Sequence, residues 1–249
     1  MLYNIKNLKV INNFKNIKIF IYCGGKCGSS TLTSSLNVYY KTIQMHNNEY
    51  FYKISSQKDV SIFDVIEYNR KTQDKIYIID SYRCPIERKI SSFFQNIKTH
   101  LPSYKNHSLK NIVNYFNARY IYNLEEYHPI DEIMSYYKLP LFETFDHEKK
   151  YNLLVHKNIY FIKLRFNEIN DWSDILSDIF KMPIKMKDVN ISETKEYATL
   201  YNNFKKVYYL PKLYYNEYLS KDKNFKIYNT EEEQKKYFEK WKQRLLLGK

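Results

Sequence analysis

The chain has 249 residues, of which 44% are hydrophobic, so it can bury a full core. Its formal net charge of +13 indicates either an acidic partner or a lysine-rich composition without functional meaning. No zinc-finger, RNP-like or clean basic-helix pattern accompanies the charge, which disfavours nucleic acid as a partner. The three cysteines are too few, and odd in number, for a disulfide framework. We therefore expect free thiols and a reducing compartment.

No glycine- or proline-rich linker and no internal repeat divides the chain, which predicts one domain over residues 1–249. No apolar run approaches the roughly 18 residues that a membrane span requires, and no signal peptide precedes the first predicted strand. These absences predict a cytoplasmic protein without a membrane span.

The first predicted element is a strand over residues 17–23, which are rich in β-branched and aromatic side chains. A loop containing Gly24, Gly25 and Gly28 follows it. These are three of only four glycines in the chain, so their clustering predicts backbone conformations that require glycine.

Residues 29–40 repeat apolar side chains at helical spacing, and Ser29 or Ser30 is placed to cap that helix. A strand, a glycine-rich loop and a helix in this order direct backbone N–H groups and the positive end of the helix at one point. That arrangement predicts an anion site, most simply for a phosphate.

Two common phosphate loops do not fit this segment. A Walker A loop has Lys and Ser/Thr directly after its last glycine, whereas Lys26 here precedes Gly28. A cysteine-based phosphatase loop has five residues between its cysteine and an arginine, whereas the residue that follows the five after Cys23 is Ser29. An ordinary nucleotide kinase and a cysteine phosphatase are therefore disfavoured.

Later elements follow from the same periodicities. A short strand over 42–45 ends at His46, a helix covers 61–70, and a second buried strand covers 75–82. Further predicted elements are helical structure over 106–138 broken at 128–129, a hairpin of 151–155 with 159–166, and helices over 171–180 capped by Asp171, 192–209 capped by Ser192, and 231–246. The fold class is therefore α/β, with a P-loop-like open, mostly parallel sheet flanked by helices and a helical C-terminal third.

A second motif, Arg-x-Pro-x-x-Arg-x-x-Ser, begins directly after the strand at 75–82. Arg83 lies where open α/β sheets bind ligands, and its guanidinium can bind phosphate oxygens through two hydrogen bonds. Pro85 suits the first turn of a helix, and Ser91 follows about two turns later. The alternative for Arg83 is a surface salt bridge. We place Arg88 outside the ligand shell, because a mid-helix arginine is usually solvated or in a structural ion pair.

Together the two motifs resemble those of sulfotransferases that use 3′-phosphoadenosine 5′-phosphosulfate (PAPS). The order Lys-x-Gly-Ser-Ser-Thr from Lys26 resembles the 5′-phosphosulfate loop of that family. Arg83, Pro85, Arg88 and Ser91 match its 3′-phosphate motif. The resemblance is specific over residues 17–97 and loose beyond them.

This resemblance implies roles for individual residues. Lys26 would neutralise the charge that grows on the leaving 5′-phosphate, the logic of cationic clamps in phosphoryl transfer. The donor, PAPS, and the product, adenosine 3′,5′-bisphosphate, would be held by Gly25, Lys26, Cys27, Gly28, Ser29, Ser30, Thr31, Arg83 and Ser91. The scheme requires no metal.

The acceptor hydroxyl needs a base, and His46 is the candidate because it ends a strand on the ligand side of the sheet. The alternative is a surface histidine in a polar turn, in which case Glu49 is the next candidate. The acceptor that the resemblance favours is a carbohydrate hydroxyl, such as that of a capsular or surface polysaccharide. Two other functions stay open: a P-loop-like nucleotide phosphotransferase, which would need magnesium ligands, and a non-catalytic nucleotide- or glycan-binding module.

Overall fold

A computed structural model describes residues 10–56, 59–122, 129–187 and 195–245. The chain divides into two compact units. The first unit combines residues 1–82 with 127–189, and the second combines residues 83–126 with 190–249. The assignment of one domain to residues 1–249 stays a prediction.

The first unit contains a five-stranded sheet. Its strands are β1 (Ile19–Tyr22), β2 (Thr42–Met45), β3 (Ile76–Tyr82), β4 (Tyr151–His156) and β5 (Ile159–Arg165). They lie in the order β2-β1-β3-β5-β4, and every neighbouring pair is parallel except β4 with β5. The predicted α/β class with an open, mostly parallel sheet is therefore confirmed, and the predicted hairpin is the antiparallel pair β4–β5.

The central strands are buried along their whole length, which explains their run of apolar residues. Every residue of β1 and β3 is buried, as expected for parallel strands covered on both faces. The helices of this unit are α1 (Ser29–Leu36), α2 (Asn48–Ser55), α3 (Ile62–Thr72), α7 (Pro129–Tyr136) and α8 (Trp172–Phe180).

Alternate side chains of the strands build two cores. On one face, Phe20 and Ile78 pack with side chains of α3 and α7 such as Val65 and Ile133. On the other face, Ile21 and Ile79 pack with side chains of α1 and α8, including Leu32, Leu36, Trp172 and Leu176. The period of two in the strands thus assigns each helix to one side of the sheet.

The second unit is helical in the residues described. Its helices are α4 (Pro85–Gln95), α5 (Ile97–His100), α6 (Leu109–Tyr115), α9 (Ala198–Val207), α10 (Lys212–Glu217), α11 (Lys223–Ile227) and α12 (Glu231–Lys242). An aromatic core containing Phe93, Phe94, Phe116, Phe204 and Trp241 holds them together. The predicted helical C-terminal third is confirmed by α8 to α12. In the part of the chain that is described, no helix has the length and apolar character to cross a bilayer.

Three helix predictions need correction. The helix predicted over 29–40 ends at Leu36, because the Asn37 side chain accepts a hydrogen bond from the N–H of Thr42 and turns the chain into β2. Asp171 does not cap α8 through its side chain; its carboxylate binds Lys150 instead, at 2.8 Å. The last helix ends at Lys242 rather than at residue 246.

The sequence did not predict α2. This helix begins at Asn48. The side chain of the preceding residue, Asn47, accepts a hydrogen bond from the N–H of Tyr50 at 2.7 Å. The segment that looked like a polar turn is therefore a helix cap. The predicted cap Ser192, the break at residue 128 and residue 246 lie outside the described residues.

Candidate functional site

The strand order has a topological switch point at the end of β1. The chain passes from β1 to β2 on one side and then returns to β3 on the other side of β1. In open α/β sheets, such a reversal leaves a crevice at the carboxyl ends of the two flanking strands, where ligands bind. The loop over residues 23–28 begins at that point, as the sequence predicted.

The loop alternates its backbone conformation. Lys26 has φ 68° and Gly28 has φ 88°, whereas Cys27 between them has a negative φ. Successive N–H groups in such alternating conformations form concave anion-binding nests. The glycine prediction holds at Gly28 but not at Gly25, which has ordinary φ and open space around its Cα. A lysine takes the first left-handed position instead, which is uncommon for a residue with a Cβ.

Gly28 has a second reason to be glycine. A Cβ built on it would lie 2.6 Å from Cη2 and 2.9 Å from Cζ3 of Trp172. The Trp172 indole is fully buried and donates a hydrogen bond from Nε1 to the carbonyl of Arg165 at 3.0 Å. The floor of the loop is therefore a buried, hydrogen-bonded aromatic ring, and the backbone of Gly28 lies against it.

The N-cap residue of α1 is Gly28, which has no side chain that could accept from the first turn. The predicted capping by Ser29 or Ser30 is therefore wrong, because both serines lie inside the helix. The first N–H groups of a helix have no acceptor within the helix. The first turn consists of Ser29, Ser30 and Thr31, and Ser29 and Thr31 are buried. These residues are thus positioned to place amides and hydroxyls around an anion.

Gln44 on β2 is a site residue that the sequence reasoning missed. Its Nε2 donates to Ser29 Oγ at 3.1 Å and lies 3.4 Å from Nε2 of His46. Its Oε1 lies 3.3 Å from Thr33 Oγ1, whose single hydrogen has a closer acceptor in the carbonyl of Ser29 at 2.8 Å. The period of two along β2 gave the available signal, because Gln44 shares a face with His46 two residues later.

His46 lies beside the loop because β1 and β2 are parallel and in register, with Tyr22 opposite Met45. Its Nδ1 is 2.7 Å from the carbonyl oxygen of Cys23. A carbonyl only accepts, so Nδ1 carries the hydrogen, and in the neutral ring Nε2 is then left with its lone pair. The ring is half-buried and packs edge-on against Tyr50, with centroids 5.2 Å apart.

Glu49, the alternative base, lies in the first turn of α2 and is exposed. A carboxylate in that position interacts favourably with the positive end of its helix. His46 contacts Cys23 at the end of the loop strand and Gln44, whereas Glu49 makes no side-chain hydrogen bond or ion pair within the described part of the chain.

The three cysteines are buried and not joined to one another; the reducing compartment stays a prediction. Burial raises the pKa of the Cys23 thiol well above its ordinary value, and its hydrogen-bonding neighbour Cys27 adds to the shift. The thiol therefore stays protonated and is directed at the carbonyl of Ser81, 3.8 Å from its sulfur. This protonation state is unsuited to a cysteine nucleophile, in agreement with the exclusion of a phosphatase loop.

A buried ion pair joins the neighbouring strands β3 and β5 on the face of the sheet that α7 covers. Lys163 Nζ lies 2.6 Å from Asp80 Oδ2, and each side chain is 1% exposed. Burial raises the pKa of the nearby Asp131, although the positive charge of Lys163 opposes that shift. Asp131 Oδ1 and the hydroxyl of Ser81, at the end of β3, are buried without a hydrogen-bond partner in the described part of the chain.

The second motif lies in the second unit. Arg83 follows the last residue of β3 directly, and Pro85 opens α4 as predicted. Ser91 is buried, and so is Arg88, with only 9% exposed. Of the two expectations for Arg88, solvation does not fit this burial, whereas a structural ion pair outside the ligand shell stays a prediction. Because Arg88 and Ser91 are three residues apart on α4, they share one side of the helix.

The structure thus brings together the loop, Ser29 and His46 in the first unit, while Arg83 and Ser91 stand in the second. That the two motifs hold the same ligand stays a prediction. Among the described residues, no three His, Cys, Asp or Glu side chains cluster in a way that could hold a metal ion.

In comparisons of the chain with protein-family models, curated proteins and solved structures, no significant match was found.

Proposed function

We propose that this protein is a sulfotransferase that moves a sulfuryl group from PAPS to a hydroxyl of a carbohydrate acceptor. The observation that carries the proposal is the position of His46 beside an uncapped, serine-rich helix start at the sheet's switch point. A transferase of this kind needs an anion-binding loop and a base at adjacent positions. The resemblance of the two sequence motifs to the sulfotransferase loops supplies the donor.

The chemistry follows from these groups. The acceptor oxygen attacks sulfur, the bond between sulfur and the bridging oxygen of the 5′-phosphate breaks, and that oxygen takes the electron pair. The hydroxyl proton goes to Nε2 of His46, the nitrogen that the contact of Nδ1 with Cys23 leaves unprotonated. Lys26 and the amides of the first turn of α1 stabilise the negative charge on the departing phosphate. Arg83 and Ser91 bind the 3′-phosphate of the nucleotide.

A thermal-shift assay with purified protein tests donor recognition. Adenosine 3′,5′-bisphosphate should stabilise the protein in the presence of a chelator, and ATP should stabilise it much less. At a ligand concentration a hundred times the Kd, the gain in unfolding free energy is about 2.7 kcal/mol. Equal stabilisation by ATP, or a requirement for magnesium, would favour the phosphotransferase instead.

Three alanine variants then separate binding from chemistry. Arg83→Ala should weaken donor affinity by about 1.5 to 3 kcal/mol, the range for a charged hydrogen-bond partner. Lys26→Ala should lower kcat more than it lowers donor affinity. Alanine is the matched substitution because, like lysine and unlike glycine, it has a Cβ that disfavours the positive φ of this position. His46→Ala should lose about a hundred- to ten-thousandfold in kcat while binding adenosine bisphosphate normally.

The assay uses labelled PAPS and a panel of glycans, and Glu49→Gln serves as the control. Full turnover by His46→Ala, with loss of turnover in Glu49→Gln, would transfer the role of base to Glu49. Donor binding without sulfation of any glycan on the panel would favour the non-catalytic binding module.

A further inference from the structure

Gln44 contacts both halves of the proposed reaction centre. Its side-chain amide reaches Ser29, in the first turn of α1, and His46, the proposed base. It thereby links a group proposed to bind the anion with one proposed to accept a proton. The role of Gln44 rests on the proposed function only where Ser29 is taken to bind an anion and His46 to accept a proton; the contacts themselves do not depend on it.

The direction of each hydrogen bond in this cluster follows from a single fixed acceptor. The Cys23 carbonyl can only accept, so Nδ1 of His46 donates to it at 2.7 Å. In neutral His46, Nε2 is then an acceptor, and the group of Gln44 that faces it must be the NH₂ group.

The same NH₂ group determines how Ser29 is used. Its second hydrogen goes to Ser29 Oγ at 3.1 Å, and the carbonyl of Gln44 is turned to Thr33. Because the Ser29 oxygen accepts this hydrogen, its own hydroxyl hydrogen is left to donate elsewhere. A hydroxyl in the first turn of an uncapped helix then donates to the anion that the turn binds.

We infer that Gln44 is a positioning residue that fixes, through one amide, the Ser29 hydroxyl as a donor to the bound anion and keeps His46 Nε2 unprotonated. Its contact with Nε2 is long, at 3.4 Å, and the substrate hydroxyl displaces it when it delivers its proton. Reversal of the amide would reverse both roles. The carbonyl would then face Ser29 and His46, taking the hydroxyl hydrogen away from the anion and favouring a protonated Nε2. The hydrogen bond from Nδ1 to the Cys23 carbonyl opposes that reversal, because it leaves Nε2 of neutral His46 able only to accept. Thr33 adds little, because the nearest acceptor for its single hydroxyl hydrogen is the Ser29 carbonyl, 2.8 Å from Oγ1.

The first arm of the test examines His46 without any ligand. Two-bond ¹⁵N–¹H NMR spectra of histidine-labelled protein at alkaline pH should show the Nδ1–H form of His46, assigned by its loss in His46→Ala. In Gln44→Glu, both ring nitrogens face acceptors, so His46 should give the doubly protonated signature at the same pH. Thr33→Val, which removes a contact to Oε1 but neither donated bond, should keep the wild-type signature.

The second arm measures anion affinity by calorimetry, with adenosine 3′,5′-bisphosphate and inorganic phosphate as parallel probes. Ser29→Ala should weaken the affinity roughly tenfold or more, as expected for a hydrogen bond to a charged group. Gln44→Met should weaken it in the same direction. Because Gln44 acts through Ser29, the double variant should lie within about twofold of the weaker single variant.

An Nε2–H form of His46 in the wild type, unchanged His46 signals in Gln44→Glu, or additive losses in the double variant would each overturn the assignment. A merely structural Gln44 would reduce stability without altering the tautomer. If the protein bound adenosine bisphosphate no better than inorganic phosphate, the proposed function would fail. The NMR spectra and the inorganic phosphate affinities of the single and double variants would still decide the role of Gln44.

Discussion

Replacing Gly28 with alanine tests how the loop is built. The added Cβ would lie 2.6 Å from Cη2 of Trp172, and the residue would have to keep a φ of 88°. A left-handed conformation costs a residue with a Cβ about 1–2 kcal/mol, and overpacking against a fixed ring costs about 1–3 kcal/mol. Together these predict a loss of about 2–5 kcal/mol in unfolding free energy.

Gly25→Ala is the matched control in the same loop. No atom lies within 4 Å of a Cβ built there, and φ is not positive. Alanine should therefore be neutral or should stabilise by up to about 1 kcal/mol, because it reduces the entropy of the unfolded chain. Both variants are measured by urea unfolding with circular dichroism and tryptophan fluorescence.

Trp172 and Trp241 are the only tryptophans, so a Trp241→Phe background makes the fluorescence specific for the ring beneath the loop. Adding Trp172→Phe to Gly28→Ala removes the ring atoms nearest to the new Cβ. The combined loss should then be smaller than the sum of the two single losses, with the backbone part remaining. If Gly28→Ala and Gly25→Ala unfolded within 0.5 kcal/mol of each other, the account of the loop would be refuted.

Two further predictions concern buried charges. Lys163→Met should lower the unfolding free energy by about 3–5 kcal/mol, because it leaves Asp80 charged and buried. Lys181→Met, which breaks the exposed pair with Asp178, should lower it by no more than about 1 kcal/mol in the same denaturation series; equal losses would contradict the burial argument. Asp131→Asn should raise stability at neutral pH, because burial raises the pKa of Asp131 and the folded state carries the unfavourable charged form. A carboxyl group whose pKa is raised in the folded state lowers the unfolding free energy as pH rises. The gain from Asp131→Asn should therefore disappear as pH falls below about 3.9, the pKa of an aspartate in the unfolded chain. Glu49→Gln, at an exposed carboxylate, is the control and should remain within about 0.5 kcal/mol of wild type at every pH; a gain for Asp131→Asn that persisted at pH 3 would exclude this cause.

The sequence determined the elements that rest on local periodicity. The strand at 42–45 matches β2 residue for residue, and Pro85 opens its helix where its missing N–H has no consequence. The two buried strands around the motifs also follow directly from composition, because only strands covered on both faces show continuous apolar runs of that length. Local sequence alone therefore places the glycine-rich loop and His46 at strand ends.

Only the tertiary structure decided what those residues contact. The clustered glycines predicted an unusual backbone, but the left-handed residues of the loop are Lys26 and Gly28. At Gly28, the close approach of Trp172, 144 residues further along the chain, also leaves no room for a Cβ. Gln44 carries no motif and looked like an ordinary strand residue; the parallel pairing of β1 with β2 brings its amide to Ser29 and His46. Local propensity acts over a few residues, whereas the direction of a hydrogen bond depends on which groups a sheet brings together.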